Sequence, residues 1–279
     1  MRSSNAGRSA APSSEICPAI PHTLPPGGET YYGPPVNLAS ATGGPGTRSP
    51  ATAALVGTGH IARQHLECLA SIAGVQTLAV CDHSPVAARA AAERFGVPRW
   101  YTDHRRMLAE VPVDVVHVTT PVGSHVEVAS DALDAGCHVI VEKPAAPTHA
   151  EVRALLETAD TRGRWLVEDL NYLFNAPVRR LRALVDGGAL GDVVHVEVTL
   201  CVTVTRPASE AQDPYASLPG GALRDVLPHV VSLALEFAGP ARVTGATWPR
   251  PNAPGGPAGE LRALLSGERA TAALSVSSR

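Results

Sequence analysis

From residue 51 onward, short apolar runs alternate with helix-like stretches, and this alternation constrains the fold more than any other feature of the chain. The first two apolar runs are Ala51 to Val56 and Val75 to Cys81, and a helical pattern separates them. Strands that alternate with helices form right-handed βαβ units, whose strands lie parallel in one sheet. We therefore predict an α/β domain built on a doubly wound parallel sheet.

The junction between the first strand and the first helix predicts a dinucleotide site. In Gly57-x-Gly59-x-x-Ala62, the first glycine allows a tight turn, the second lets backbone approach a pyrophosphate, and Ala62 allows close helix packing. Asp82 ends the second apolar run, where a carboxylate can bind ribose hydroxyls. The alternative is a glycine turn in a domain that binds nothing. The predicted cofactor residues here are Gly57, Thr58, Gly59, His60, Ile61 and Asp82.

Lys143 is the only lysine among 23 basic side chains, and it lies in Glu142-Lys143-Pro144. Arginine stays protonated under ordinary conditions, whereas a lysine can exchange a proton when burial shifts its pKa. The tripeptide directly follows a predicted strand, His138 to Val141. It therefore lies at the carboxyl edge of the sheet, where open α/β sheets bind ligands. A surface lysine retained by chance is the alternative.

A second set of candidates follows the strand predicted over Asp114 to Thr120. Thr120, Pro121 and His125 should lie near the same edge as Glu142 and Lys143. We predict that all five residues contact the cofactor. An isolated histidine such as His125 is more often a residue at a helix start than a ligand.

The second half of the chain has a different pattern. Residues Asp192 to Val204 alternate between apolar and polar, as in a long strand with one buried and one open face. A helix is predicted from about Asp225 to Phe237, with short strands near 241–247, 260–265 and 271–276. We predict domains over 51–171 and 172–279. Residues 1–50, rich in Pro, Gly and Ser, are predicted to form a disordered tail.

Asp225 and His229 are four residues apart, so a continuous helix would place them on one face. Pro228 is easiest to accommodate in the first helical turn. The arrangement works if Asp225 is the N-cap, because Pro228 then needs no N–H. In the alternative interpretation, Asp225 serves only as a cap and His229 has no chemical role.

Composition excludes several classes of partner. A net charge of −3 with 18% charged residues gives no electrostatic reason to expect nucleic acid or an acidic membrane. No apolar run reaches the roughly 18 residues of a membrane span, and we expect no secretory signal. The five cysteines lack metal-ligand spacing, so we predict buried thiols, no metal and a cytoplasmic location.

Taken together, the motifs resemble the Gfo/Idh/MocA family of glucose–fructose oxidoreductase and inositol 2-dehydrogenase relatives. The resemblance covers roughly residues 52 to 279. It implies a Rossmann domain followed by a domain on an open, mainly antiparallel sheet, and oxidation or reduction of a sugar-like or polyol substrate with NAD(H) or NADP(H). The matching stretches are Val56 to Ala62, Cys81-Asp82, Thr119 to His125, Glu142-Lys143-Pro144 with Thr148 and Glu151, and Gly220 to His229.

The resemblance also implies roles for three catalytic candidates. Lys143 would contact substrate and nicotinamide, Asp225 would orient and tune the site, and His229 would take the hydroxyl proton. Independent chemistry agrees, since histidine has a suitable pKa for a base and an ammonium stabilises a developing alkoxide. Asp82 would repel a 2′-phosphate, so we predict NAD, with NADP still possible.

Family members usually continue well beyond the histidine helix, whereas about 50 residues follow His229 here. We therefore expect an incomplete sheet with an uncharged edge, and self-association into a homo-oligomer through the open sheet. Two alternatives remain open at this point. One is an NAD-dependent glycoside hydrolase, and the other is a non-catalytic dinucleotide-binding remnant.

Overall fold

A computed structural model of the chain describes residues 50–202, 221–247 and 260–278. Within these ranges the chain forms a six-stranded sheet and a separate four-stranded sheet. The predicted disordered tail lies outside the described residues, apart from Pro50. The predicted boundary between residues 171 and 172 falls between the two sheets and stays a prediction.

The first sheet is parallel throughout, which confirms the predicted doubly wound architecture. Its strand order is β3-β2-β1-β4-β5-β6, so the order reverses between β1 and β4. Ligands of open α/β sheets bind outside the carboxyl ends of the strands at such a reversal. The strands are β1 (Ala51–Val56), β2 (Val75–Cys81), β3 (Arg99–Tyr101), β4 (Val115–Val118), β5 (His138–Val141) and β6 (Leu166–Glu168).

Helices cover this sheet, and their starts follow from local sequence. The Ser84 hydroxyl accepts the Ala87 N–H at the start of α2, and the Thr148 hydroxyl accepts the Glu151 N–H at the start of α5. The helices are α1 (Ala62–Ser71), α2 (Pro85–Phe95), α3 (His104–Glu110), α4 (His125–Asp134) and α5 (His149–Thr161). Fully buried Val116 and Leu133 lie in the core between sheet and helices.

The second sheet is mixed and has helix packing on one face. Its order is β7-β10-β9-β8, with β10 parallel to β7 and the other two pairings antiparallel. The elements of this half are α6 (Ala176–Asp186), β7 (His195–Val202), α7 (Gly221–Ala238), β8 (Ala241–Thr247), β9 (Glu260–Gly267) and β10 (Thr271–Ser278). Apolar side chains of α7 and the strands form a second core, which includes Leu223, Val230 and Val276.

The alternation predicted along β7 is confirmed over the strand itself. Val196, Val198 and Leu200 pack against the core beneath α7, whereas His195 and Glu197 are exposed. The structure departs from the predicted strand at its first residues, and the last predicted residues are not described. Val194 precedes the strand and is 78% exposed, and Thr203 and Val204 lie outside the described residues.

The predicted N-cap position of Asp225 is wrong. Helix α7 is already formed at Gly221, so Asp225 lies within the helix and Pro228 lies in its interior. Proline lacks a donor N–H and its ring displaces a carbonyl one turn back. Lys143 Nζ donates to the backbone carbonyl of Asp225 at 3.1 Å, so this turn of α7 is bonded to the residue pair that follows β5.

No helix in the described part of the chain is long and apolar enough to cross a membrane. The predicted burial of the cysteines is confirmed for Cys81 and Cys137 and is wrong for Cys68 and Cys201, which are exposed. Cys17 lies outside the described residues. Cys201 has the strand parity of Glu197, so its side chain lies on the open face of β7.

Candidate active site

The glycine loop after β1 leaves space at the carboxyl edge of the first sheet. At Gly57 the φ angle is +94°, and an added Cβ would lie 2.7 Å from backbone atoms of Thr119 and Thr120, so only glycine fits. At Gly59 an added Cβ would meet no described atom within 4 Å. No side chain caps α1 at Ile61, so N–H groups at the helix start can bind a phosphate.

Asp82 is held beside this loop. Its Oδ2 accepts the Thr58 N–H at 2.8 Å and the Thr58 hydroxyl at 3.0 Å, and its Oδ1 accepts the Ser84 N–H at 2.9 Å. Burial acts to raise the pKa of the Asp82 carboxyl, but these hydrogen bonds outweigh it and hold the pKa below its ordinary value. A carboxylate fixed at the end of β2 suits ribose hydroxyls better than a 2′-phosphate.

The loop after β4 lies against the same space. The hydroxyl of Thr120 is buried and has no hydrogen-bond partner among the described residues. Pro121 is exposed beside it. His125 is buried, with Nε2 2.7 Å from the Thr120 carbonyl oxygen and Nδ1 2.9 Å from that of Pro144. The ring of His125 therefore braces two loops and has no ring nitrogen directed at a ligand.

These features fit a bound dinucleotide. The open backbone at Gly59 and the uncapped start of α1 suit a pyrophosphate. The unpartnered Thr120 hydroxyl is a buried polar group that a ligand can satisfy. His60 is exposed at the rim of the loop, and Ile61 is half-buried.

Lys143, which follows the first sheet, and Asp225, on the helix of the second sheet, are in contact. Lys143 Nζ lies 2.7 Å from Asp225 Oδ1, and the two side chains are only 15% and 25% exposed. The peptide bond between Lys143 and Pro144 is cis. The lysine that follows β5 and the aspartate of α7 thus form one ion pair at the carboxyl edge of the parallel sheet.

His229 lies one turn along α7 from Asp225 and is buried. Burial, followed by the nearby Lys143 ammonium, lowers the pKa of His229 below its ordinary value. Its Nδ1 is buried without a hydrogen-bond partner among the described residues. The ring of Tyr172 stacks on the imidazole, with ring centroids 4.1 Å apart and an interplanar angle of 12°. Asp225 bonds Lys143, and its predicted role in orienting and tuning the site stays a prediction.

A buried polar network lies beneath Lys143, and the sequence interpretation missed it. His65 Nδ1 is 2.9 Å from His117 Nδ1, and His65 Nε2 is 3.1 Å from Glu142 Oε1. The other Glu142 oxygen accepts the Lys143 N–H at 3.2 Å. Glu142 was predicted to bind cofactor; its two oxygens make these contacts within the protein, and the cofactor contact stays a prediction. Burial raises the pKa of Glu142, and the His65 contact outweighs it and holds the pKa below its ordinary value.

This network also includes Asp169, whose Oδ2 lies 3.4 Å from His65 Nε2. Burial and the neighbouring Glu142 raise the pKa of the Asp169 carboxyl. The ligand atoms of His65, Glu142 and Asp169 lie within 4.8 Å of one another, close enough to hold a cation. His65 Nε2 and Glu142 Oε1 are 3.1 Å apart, which is the distance of a direct hydrogen bond. The predicted absence of a metal stays a prediction.

Sequence signals for the missed residues exist, although they are weak. His117 interrupts the apolar run of β4, and its side chain is 8% exposed. His65 shares the buried face of α1 with Ala62, Leu66 and Leu69. A polar residue inside an apolar pattern indicates a buried hydrogen bond, but it does not identify the partner.

Both halves of the chain match family models. Residues 51–169 match a model described as "Oxidoreductase family, NAD-binding Rossmann fold". Residues 178–278 match the model of the "GFO/IDH/MocA C-terminal domain".

Curated relatives match over part of their length. D-glucoside 3-dehydrogenase of Escherichia coli K12 is 32% identical over 197 residues, which cover 69% of this chain and 55% of that protein. A dTDP-3,4-didehydro-2,6-dideoxy-α-D-glucose 3-reductase of Streptomyces violaceoruber is 35% identical over 187 residues, or 66% of this chain and 53% of that protein. The chain thus spans about half the length of these curated relatives.

Among solved structures, the WlbA dehydrogenase of Chromobacterium violaceum, in complex with NADH and UDP-GlcNAcA, matches with a TM-score of 0.72. Its sequence is 27% identical, and the match covers 83% of this chain and 68% of that one. The match includes residues of both sheets, because 83% of the chain is more than either predicted domain contains.

Proposed function

Because the chain belongs to the Gfo/Idh/MocA oxidoreductase family, we propose that it transfers hydride between a nicotinamide cofactor and a secondary alcohol or ketone of a sugar, polyol or related compound. One observation carries the proposal. The Lys143 ammonium, the Asp225 carboxylate and the His229 imidazole converge at the carboxyl edge of an NAD-binding sheet. Relatives named as a glucoside dehydrogenase and a deoxysugar reductase support a sugar-like substrate.

His229 is the proposed base. Alcohol oxidation removes a hydride from carbon and a proton from the hydroxyl group, which leaves a carbonyl. A neutral imidazole can take that proton, and the lowered pKa keeps His229 neutral near pH 7. In the reverse direction the imidazolium returns the proton to the oxygen.

Lys143 is proposed to hold the reacting oxygen. Its ammonium can donate a hydrogen bond to the oxygen and stabilise the negative charge that develops as the proton leaves. Asp225 fixes the ammonium through the 2.7 Å contact and the backbone carbonyl contact at 3.1 Å. A fixed donor is effective because little reorganisation is needed during reaction.

The glycine loop is proposed to hold the cofactor. Backbone N–H groups around Gly59 and the start of α1 would bind the pyrophosphate, Asp82 the adenosine ribose, and the Thr120–Pro121 loop would border the nicotinamide half. Bound NAD supplies the acceptor for the hydride. We propose NAD rather than NADP, since Asp82 is kept charged by its hydrogen bonds.

The second sheet is proposed to pair with another copy of the chain. Helix α7 covers one face, and the other face exposes Glu197, Cys201 and Leu264, of which Leu264 is 57% exposed. An open sheet face can pack against a second sheet, and Leu264 would add an apolar contact there. We also propose a cytoplasmic location, where the four described cysteines, all unpaired, would stay reduced.

A direct test follows cofactor absorbance while the full chain is mixed with NAD and a panel of polyols, sugar acids and nucleotide sugars. Net production of NADH with at least one member supports the proposal. Cleavage of a glycoside without net cofactor turnover would instead identify an NAD-dependent glycoside hydrolase. Tight NAD binding without turnover across the panel would identify a non-catalytic dinucleotide-binding protein.

A further inference from the structure

His229 differs from Lys143 and Asp225 because no described hydrogen bond fixes its ring. Its Nδ1 is buried without a partner among the described residues, and the Asp225 carboxylate is engaged by Lys143. The torsion that turns an imidazole about its Cβ–Cγ bond has broad energy wells. A base of this kind needs another restraint if its proton-accepting nitrogen is to keep one direction.

Tyr172 provides such a restraint by stacking. The two rings lie nearly parallel, at 12°, and their centroids are 4.1 Å apart. At this separation the imidazole cannot rotate out of its plane without colliding with the phenol ring. The orientation that a carboxylate supplies in other histidine-dependent sites comes here from an aromatic surface.

Tyr172 is itself well anchored. It lies in the 3-10 turn Asn171–Phe174, where the adjacent Leu173 is 2% exposed and donates its N–H to the Leu170 carbonyl. The chain just before this turn is tied to β5 by the Asp169 N–H, which donates to the Val141 carbonyl at 2.8 Å. The stack therefore joins a turn fixed to the first sheet with a histidine carried by α7 of the second domain.

We propose that Tyr172 is a positioning residue, which fixes the imidazole plane of His229 for proton transfer. This inference rests on the proposed dehydrogenase function. The phenol ring covers one face of the imidazole and limits the directions in which the ring can turn. Its π face also stabilises the positive charge that forms when His229 takes the proton.

Two substitutions separate the ring from its hydroxyl. Tyr172→Phe keeps the stack, and Tyr172→Leu removes it while keeping apolar bulk. Phe174→Leu is the matched control, since Phe174 belongs to the same turn and is 62% exposed. Cofactor affinity, measured by quenching of protein fluorescence with NAD, should stay within about twofold in all three, because none contacts the glycine loop.

The first readout does not depend on turnover. The ring C–H signals of His229, assigned by their loss in His229→Gln, should carry a ring-current shift in the unaltered chain and in Tyr172→Phe. That shift should disappear in Tyr172→Leu and persist in Phe174→Leu. In a pH titration followed through the same signals, the midpoint of His229 should fall in Tyr172→Leu, because leucine keeps the apolar cover but lacks the π face that stabilises the imidazolium. The charged groups that act on His229, namely Lys143, Asp225 and Glu142, are unchanged in these variants.

The second readout is kinetic. With a substrate found on the panel, Tyr172→Leu should lower kcat by about 10-fold to 10²-fold, with a smaller change in KM. Tyr172→Phe should restore kcat to within about twofold of the unaltered chain. An equal loss in both variants would assign the effect to the hydroxyl and overturn the proposal, as would an unchanged kcat in Tyr172→Leu.

The two proposals fail in different ways. If no substrate reacts, the His229 signals and titration still test whether Tyr172 holds the ring, and an unchanged signal in Tyr172→Leu overturns that inference. If the signal changes as expected while kcat does not, the stack is structural only, and the positioning role is wrong while the dehydrogenase function stands.

Discussion

The Lys143 ammonium lies 2.7 Å from the Asp225 carboxylate, although the two residues are 82 positions apart in the sequence. Lys143 follows strand β5 of the parallel sheet, whereas Asp225 belongs to helix α7, which covers the second sheet. Both side chains are largely buried, so removal of either one leaves a charge without its partner. This ion pair links the proposed cofactor domain to the proposed base on α7.

Removal of the Lys143 charge should reduce kcat by a larger factor than it reduces the affinity for the cofactor. Lys143→Met is expected to lower kcat by about 10²-fold or more, because the ammonium acts on charge that develops during reaction. His229→Ala should cost a similar factor through loss of the base. Steady-state kinetics and NAD titration measure the two effects. Arg89→Met, which removes an exposed surface charge, is the control. Full activity in Lys143→Met would mean that this lysine has no chemical role.

Asp82 should determine the choice of cofactor. The unaltered chain is expected to bind NADH more tightly than NADPH, because the charged carboxylate repels a 2′-phosphate. Asp82→Ala should narrow the difference between the two affinities, measured by fluorescence titration of each reduced cofactor. Asp186→Ala, an exposed acid at the end of α6, should leave the difference unchanged. Tighter binding of NADPH by the unaltered chain would contradict the assignment.

His117 should make the fold sensitive to acid. Burial lowers the pKa of His117 from 6.5 to about 4, and nearby His65 adds to the effect. Between these values the unfolded chain binds a proton that the folded chain does not, so the free energy of unfolding falls as pH falls. The loss expected from this group is about 3 kcal/mol between pH 6.5 and pH 4.

Denaturant unfolding across this pH range tests the effect of His117. His117→Asn keeps a polar group near the position of Nδ1 but cannot take up a proton, so its stability should fall less steeply with pH. His149→Asn replaces an exposed histidine at the start of α5 and serves as the control. Parallel pH dependences in His117→Asn and the unaltered chain would show that His117 does not carry this sensitivity.

A substitution at Leu264 should show whether the open sheet face is an interface between copies of the chain. It lies opposite Ala273 of β10 and is 57% exposed. Leu264→Arg would bury a charge without a partner in any face-to-face dimer, which should weaken association by about 10²-fold. Light scattering over a dilution series measures this, with Val86→Arg on the exposed side of α2 as the control. A monomer at every concentration of the unaltered chain would remove the proposed interface.

Local patterns in the sequence were sufficient for the architecture and for the family. The alternation of apolar runs with helical stretches predicted the parallel sheet, because strand and helix periodicity depend on neighbouring residues. The glycines after β1, with Asp82 and the Glu142-Lys143-Pro144 tripeptide, predicted the edge at which the candidates meet. Both family models support the resemblance that these motifs indicated.

Tertiary structure alone decided which side chains are partners. Asp225 was predicted to begin its helix as the N-cap, but it lies inside α7 and bonds Lys143, while Tyr172 stacks on the imidazole. His65 and His117 share a hydrogen bond although they are 52 residues apart. Periodicity determines the face on which a side chain lies, whereas its partner depends on how distant elements pack, and local sequence does not encode that.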